Sequence, residues 1–211
     1  VIEALALDGK VTNLVCGDTH YFEVKDAFAA KDRMFPSMLD EEIVNKALNL
    51  NKKIVSGFGL SRGLTHGEYI IDGHDVYLIE IAARGGGVYI SSDIIPLMTG
   101  FNTTSFIIDI ATKTTVDAPI IEYKKLCTCY IAFFLPEGVI NEVNGVREIQ
   151  SLPYVHHNNL DALYIGKHIG KNIDKTSRYF LIMEAADRSE LEERIALVHN
   201  LLQVNVDTGH K

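Results

Sequence analysis

The sequence has 211 residues, of which 47% are hydrophobic and 23% are charged. Acidic residues outnumber basic ones by 28 to 20, a net charge of −8, which argues against a sequence-independent nucleic-acid binder because such a protein needs a concentrated basic face. The apolar runs are far shorter than the ~20 residues that cross a bilayer, so we expect no membrane span. Three cysteines without a pairing pattern favour a reducing, cytoplasmic location. Because the chain begins at Val1, inside a strand-like run and without an initiator Met, we expect a fragment of a longer protein.

The first part of the chain alternates predicted strands and helices. Asp8-Gly9 is a strong hairpin signal, and Ser37 with Asp40 marks a helix start. The predicted elements are strands at 1–7, 11–16 and 21–24, an exposed loop at 25–37, a helix that runs up to Gly57, strands at 66–71 and 76–82, and helices at 90–98 and 103–113.

The second part is richer in predicted strands. They are expected at 127–135, 138–149, 161–166 and 178–184, with a loop at 153–159 and a final amphipathic helix capped by Asp187. The pattern predicts a mixed α+β fold of antiparallel sheet and flanking helices. We expect two parts, residues 1–118 and a smaller β-rich part, residues 119–211.

Two glutamates are predicted to face each other on one hairpin. If Gly73 to Asp75 form the loop, Asp72 lies opposite Val76 and Glu68 lies opposite Glu80. Strand alternation places Ile70, Val76 and Leu78 on the same face, which therefore resembles a core face. Opposed like charges destabilise a strand pair, so a divalent cation is the simplest reason for them.

A fixed positive charge and three glycines follow the second glutamate. The guanidinium of Arg84 suits a bidentate contact with phosphate or carboxylate. Gly85, Gly86 and Gly87 allow backbone N–H groups to approach an anion closely. Together with Glu68 and Glu80, these residues predict a phosphoryl-transfer site.

This pattern resembles the ATP-grasp superfamily, which includes biotin carboxylase and the large subunit of carbamoyl-phosphate synthetase. The resemblance rests on Glu68, then Glu80 twelve residues later, then Ile-Ala-Ala-Arg84, and it is good over residues 1–113. It implies that Glu68 and Glu80 bind Mg²⁺ (or Mn²⁺) with the phosphates of ATP, and that Arg84 contacts a carboxylate or acyl phosphate, beside the glycines 85–87.

The resemblance covers the C-terminal portion of the ATP-grasp module and implies a ligase. Such an enzyme activates a carboxylate or bicarbonate as an acyl phosphate for attack by an amine or similar nucleophile. Nothing in the chain resembles the ATP lid, so the N-terminal half of the same enzyme is the expected partner, and the chain alone is expected to be inactive. The family's metal-site Asn is replaced by Ala82, a form that resembles carboxyaminoimidazole ribonucleotide synthetase. Two alternatives to such a ligase remain. One is a purine-pathway carboxylase of the carboxyaminoimidazole ribonucleotide synthetase kind, and the other is a non-catalytic binding or oligomerisation domain.

Weaker signals have ordinary structural interpretations. His66 is more often a packed or solvated histidine than a ligand, and adjacent histidines such as His156-His157 point apart on a strand. The final helix is a candidate homodimer surface, although its apolar stripe normally faces the chain's own core. The remaining candidates are Lys25, expected to be solvated, and Cys127 and Cys129, expected to be packed.

Overall fold

The computed structural model describes residues 1–22, 30–113, 115–170 and 178–209. These form two compact units, residues 1–18 with 34–125 and residues 19–33 with 126–211. The chain thus divides between Lys125 and Leu126, and residues 19–33 belong to the second unit, an assignment that the sequence did not indicate.

Twelve strands and five α-helices are present in the described residues. The strands are β1 (Ile2–Leu7), β2 (Lys10–Cys16), β3 (Asp18–Tyr21), β4 (Ala30–Phe35), β5 (Arg62–Asp72), β6 (Asp75–Ala82), β7 (Cys127–Phe133), β8 (Gly138–Asn144), β9 (Val155–Asn158), β10 (His168–Ile169), β11 (Tyr179–Ala185) and β12 (Gln203–Asp207). The helices are α1 (Glu41–Gly57), α2 (Ile95–Thr99), α3 (Thr103–Thr112), α4 (Val146–Gln150) and α5 (Arg188–Leu201), with a π-helical turn at Ile90–Ile94 and a 3₁₀ turn at Leu160–Ala162.

The first unit is built on a four-stranded antiparallel sheet in the order β2-β1-β5-β6. The predicted β1–β2 hairpin is confirmed, since Asp8 and Gly9 both have the positive φ that a tight hairpin turn requires. Helix α1 contacts all four strands, while α2 contacts β2 and α3 contacts β5. The apolar core of this unit is formed by fully buried side chains that include Ile2, Leu14, Val55, Ile90, Ile94 and Ile95.

A buried amide network attaches α1 to the sheet. Asn51 is fully buried; its side chain donates to Asn13 Oδ1 (2.8 Å) and accepts from the Tyr69 hydroxyl (2.8 Å). The Asn13 amide in turn donates to the carbonyl of Leu48 (3.0 Å). Burial raises the pKa of Tyr69 to about 12, so this hydroxyl remains a donor at neutral pH.

The second unit has two antiparallel sheets. Five strands form the order β3-β4-β7-β11-β9, and three form the order β10-β8-β12. Strand β7 is buried along its whole length and pairs with β11 in continuous register, from Cys127 opposite Ala185 to Phe133 opposite Tyr179. Helix α5 contacts both strands, and the Asp187 side chain caps it by accepting from the N–H of Glu190 (2.9 Å), as predicted. All three cysteines are free.

Several local predictions were wrong. The segment 25–37 is not an exposed loop, because its second half is the largely buried strand β4 with Asp32 and Arg33 inside the fold. Of the predicted strand 21–24, Tyr21 ends β3 and Phe22 lies outside any strand, while residues 23 and 24, like Lys25, lie outside the described residues. The predicted strand at 138–149 ends at Asn144, since Gly145 with φ +85° starts helix α4.

Two predictions after residue 150 were also wrong. The predicted loop at 153–159 contains strand β9, which pairs with β11 although it is polar. The predicted strand at 161–166 is absent: the 3₁₀ turn and a positive φ at Gly166 occupy that stretch.

In the described ranges, no single helix is long and apolar enough to cross a membrane. The pair 90–99 and 103–112 passes by length and composition only when its two parts, bent by 112°, are counted together. Its residues Ile90, Ile94 and Ile95 are fully buried within the first unit.

We predict that Asn51→Ala lowers the free energy of unfolding by about 1–3 kcal/mol, because it removes the partner of the half-buried Tyr69 hydroxyl and the donor to Asn13 Oδ1. Urea denaturation followed by far-UV circular dichroism measures the change. The matched control is Asn49→Ala on the exposed face of the same helix, with an expected change within about 0.5 kcal/mol. Equal effects of the two substitutions would contradict the structural role of the network.

Candidate functional site

The predicted pairing of Glu68 with Glu80 is confirmed in the β5–β6 hairpin. The turn is shorter than predicted, because Asp72 lies opposite Asp75 and Gly73 has φ +58°, which suits the first position of a two-residue turn. A β-bulge between Glu68 and Tyr69 then restores the predicted register, since Tyr69 pairs with Leu78 and Ile79 is the extra residue.

The prediction that the glutamate face is a core face was wrong. The bulge reverses the alternation of β6, so Leu78 lies across from Tyr69 and Tyr77 lies across from Ile70. Ile70 is 54% exposed and Tyr77 is 52% exposed, so this part of the face is not packed against a core. Glu80 is itself exposed, while the side chain of Glu68 is mostly buried.

A buried carboxylate and a histidine stand behind Glu68. Glu3 on β1 lies directly opposite His66 on β5, and the structure exposes 0% of Glu3 and 3% of His66. Glu3 Oε1 contacts His66 Nδ1, and His66 Nε2 lies 3.1 Å from Glu68 Oε1. The three side chains therefore form a continuous line of hydrogen bonds that ends at one of the two opposed glutamates.

The glycine loop, residues 85–87, is hydrogen-bonded to Glu3 of the same line of side chains. The N–H of Gly86 donates to Glu3 Oε2 (2.8 Å), and its carbonyl accepts from the Ser91 hydroxyl (2.9 Å). A Cβ at Gly86 would lie 2.2 Å from Glu3 Oε1, and one at Gly85 would lie 2.2 Å from Ser91 Oγ. Close packing against the chain itself therefore explains two of the three glycines, while the space beside Gly87 is open.

The loop continues into a strained backbone segment. Val88 and Tyr89 both have positive φ values, +50° and +61°, and the π-helical turn begins at the next residue. Non-glycine residues in this region cost about 1–3 kcal/mol each and cluster at ligand clamps. The hydroxyl of Ser91 and the N–H of Gly86 hold both sides of this segment in place.

Arg84 is exposed, two residues after the end of β6, and forms no ion pair within the described ranges. Its Nη1 donates to the carbonyl of Gly85 (2.9 Å), which orients the guanidinium along the glycine loop. The alternative interpretation, a surface salt bridge, finds no support among the described residues. The remaining donors of Arg84 are available for a planar anion.

No group of three or more His, Cys, Asp or Glu side chains arranged for a metal ion occurs within the described residues. Two facing carboxylates are nevertheless the kind of donor set that Mg²⁺ uses when substrate phosphates complete its coordination. Glu68 and Glu80 fit a site in which substrate phosphates supply the remaining ligands, and they do not fit a site in which the protein supplies all of them. The other candidates have structural roles: Cys127 and Cys129 are buried on β7, and His156 lies 3.3 Å from Glu184.

Sequence reasoning missed Glu3 and treated His66 as an ordinary histidine. A signal existed, since Glu3 is the one charged residue in the apolar strand Ile2–Leu7. Its contact with His66 spans 63 residues of chain, and only the β1–β5 register brings the two together.

Comparison with known proteins gives solved structures and nothing else: no family model and no curated protein matches the sequence. The L-amino acid ligase from Bacillus licheniformis superposes with a TM-score of 0.79 at 19% identity, over 98% of this chain and 51% of that one. Phosphoribosylglycinamide synthetase from Anaerococcus prevotii gives 0.78 at 11% identity, over 98% and 52%. The biotin carboxylase domain of 2-oxoglutarate carboxylase from Hydrogenobacter thermophilus, described as a dimer with MgADP, ADP and bicarbonate, gives 0.70 at 17% identity, over 97% and 45%.

Almost the whole of this chain superposes on each of these structures, but it spans only about half of their length. At identities below one fifth the likeness concerns the fold. This agrees with the mixed helices and antiparallel sheets described above and with the resemblance that the Glu68, Glu80 and Arg84 pattern carried. The chain therefore has the ATP-grasp fold, over about half the length of these structures.

Proposed function

We propose that the chain is the C-terminal portion of an ATP-dependent ligase and supplies the metal-binding and acceptor-binding wall of its active site. The proposed reaction activates a carboxylate or bicarbonate as an acyl phosphate, which an amine or similar nucleophile then attacks. The observation that carries the proposal is the alignment of Glu68 opposite Glu80 on neighbouring strands, with Arg84 two residues beyond the end of the strand that carries Glu80. The ATP-grasp fold supports it.

Glu68 and Glu80 are the proposed ligands of Mg²⁺ or Mn²⁺. Directly opposed residues on antiparallel strands have Cβ atoms about 5 Å apart, a separation at which two uncompensated carboxylates repel each other. A cation shared with the phosphates of ATP would remove this repulsion and would neutralise charge that develops during phosphoryl transfer. The exposed position of Glu80 and the fixed position of Glu68 allow a nucleotide to approach both.

Arg84 is the proposed contact for the carboxylate substrate and its acyl phosphate. The guanidinium is exposed, is held beside the glycine loop through the Gly85 carbonyl, and offers paired N–H donors that match two oxygens of a planar anion. The glycines 85–87 close the pocket with backbone alone. Since the N–H of Gly86 is already donated to Glu3, the open space beside Gly87 is the part of the loop that faces a ligand.

The remainder of the site is proposed to come from the N-terminal half of the same enzyme, and the enzyme is proposed to act in the cytoplasm on small carboxylate and amine substrates. A homodimer is also part of the proposal.

A purine-pathway carboxylase is the second candidate function. Ala82 is the residue that favours it, because it stands where the ligases' metal-site Asn is expected.

We predict that Glu80→Gln in the full gene product lowers ATP turnover by at least about 100-fold, because the loss of a ligand removes several kcal/mol of charge stabilisation. ADP formation is measured with bicarbonate and with a panel of L-amino acids, and circular dichroism verifies the fold. The control is Asp72→Asn, an exposed acid on the same hairpin, with expected turnover equal to that of the parent. Retained ATP-dependent activity in Glu80→Gln would refute the metal role, and a parent protein that never forms ADP would favour the non-catalytic alternative.

We predict that Arg84→Lys lowers kcat/KM for the carboxylate substrate by about 10- to 100-fold and leaves the KM for ATP unchanged. Lysine keeps the charge but loses the two parallel hydrogen bonds, which are worth about 1.5–3 kcal/mol when a charged group is involved. The measurement is steady-state ADP formation with either substrate varied. A rise in the KM for ATP alone would reassign Arg84 to the nucleotide.

A further inference from the structure

We propose that Glu3 and His66 are positioning residues that set the orientation of the Glu68 carboxylate for a divalent cation. Gly86 connects the glycine loop, residues 85–87, to these two side chains. This inference rests on the metal role proposed for Glu68. It concerns how that carboxylate is held, which the hairpin register alone does not determine. The contacts run without a gap from Gly86 N–H to Glu3, from Glu3 to His66, and from His66 to Glu68.

Glu3 is the buried anchor of this line. Its side chain is fully enclosed in the first unit, where an isolated carboxylate is unfavourable unless hydrogen bonds satisfy both oxygens. They are satisfied here, since Oε1 contacts His66 and Oε2 accepts from Gly86. A residue needed only for packing at this position of an apolar strand would be apolar, as its neighbours Ile2 and Ala4 are.

His66 transmits that fixed position to Glu68. Both ring nitrogens face carboxylate oxygens, Nδ1 that of Glu3 and Nε2 that of Glu68. The contact at Nδ1 fixes the rotation of the ring, and the rotation fixes the direction in which Nε2 points. Glu68, two residues along and on the same face of β5, contacts Nε2 through Oε1 (3.1 Å).

Gly86 connects this line to the segment that carries Arg84. Its N–H points at Glu3 Oε2, and only a residue without a Cβ can approach so closely, because a Cβ would meet both Glu3 Oε1 (2.2 Å) and His66 Nδ1 (2.9 Å). A movement of the glycine loop would therefore move Glu3, and through His66 it would move Glu68. The geometry couples the two halves of the proposed site.

The test measures Mn²⁺ affinity in the full gene product with ADP present, from the electron paramagnetic resonance signal of free Mn²⁺. Glu3→Gln, which keeps the size of the side chain, and His66→Gln are each expected to weaken Mn²⁺ binding by about 10- to 100-fold, the usual effect of losing a group that orients a metal ligand. His74→Gln in the exposed hairpin turn is the matched histidine control, with expected affinity equal to that of the parent. Circular dichroism verifies that each variant is folded.

Gly86→Ala gives a second route to the same result, since it displaces Glu3 without removing any titratable group. It is expected to lower Mn²⁺ affinity in the same range, and Glu3→Gln combined with His66→Gln is expected to lose no more than the worse single variant, because both act through one line of contacts. Parent-like Mn²⁺ binding in folded Glu3→Gln or His66→Gln would overturn the inference, as would fully additive losses in the double variant.

The same assay separates this inference from the proposed function. Glu80→Gln removes a proposed ligand and leaves Glu3 and His66 untouched, so it tests the metal site alone. If Glu80→Gln binds Mn²⁺ as the parent does, the metal site itself is wrong. If Glu80→Gln loses binding while Glu3→Gln and His66→Gln keep it, the proposed function stands and the positioning role fails.

Discussion

The first unit depends on one buried carboxylate. Glu3 lies in a central strand of the four-stranded sheet, and its two oxygens are satisfied by residues from the neighbouring strand and from the glycine loop. Leaving a buried charge unpaired costs several kcal/mol, so the β1–β5 register and the path of the loop are constrained together. The carboxylate therefore specifies where two distant pieces of chain must meet.

The two faces of this sheet have different tasks. On one face, Tyr69 and Asn51 join the sheet to helix α1 through a closed network of neutral hydrogen bonds. On the other face, Glu3, His66 and Glu68 form a line of ionisable side chains that ends at the partly exposed Glu68. Strand alternation separates the two sets, because consecutive residues of β5 point to opposite sides. The face attached to helix α1 supports the face that carries Glu68, and a precise binding site requires such support.

The glycine loop shows how a motif can have two meanings. Three consecutive glycines after an arginine are typical of an anion-binding loop, yet Gly85 and Gly86 are explained by close approach to Ser91 and Glu3. The strained residues Val88 and Tyr89 follow immediately, and the hydrogen bonds of the loop hold them in place. The loop thus belongs to the support of the site as much as to its surface.

Local patterns in the sequence determined the elements whose signals are complete within a few residues. The Asp8-Gly9 hairpin and the Asp187 cap are of this kind, since each depends on turn or capping chemistry nearby, whereas Glu68 pairs with Glu80 as predicted only because a bulge compensates for a shorter turn. Tertiary structure decided the rest. Strand β4 is buried although charged residues interrupt it, the polar strand β9 exists because β11 pairs with it, and a single bulge residue changes which side chains share the glutamate face. The line from Gly86 through Glu3 to His66 crosses up to 83 residues of chain, and only the packed sheet brings those atoms within hydrogen-bond distance.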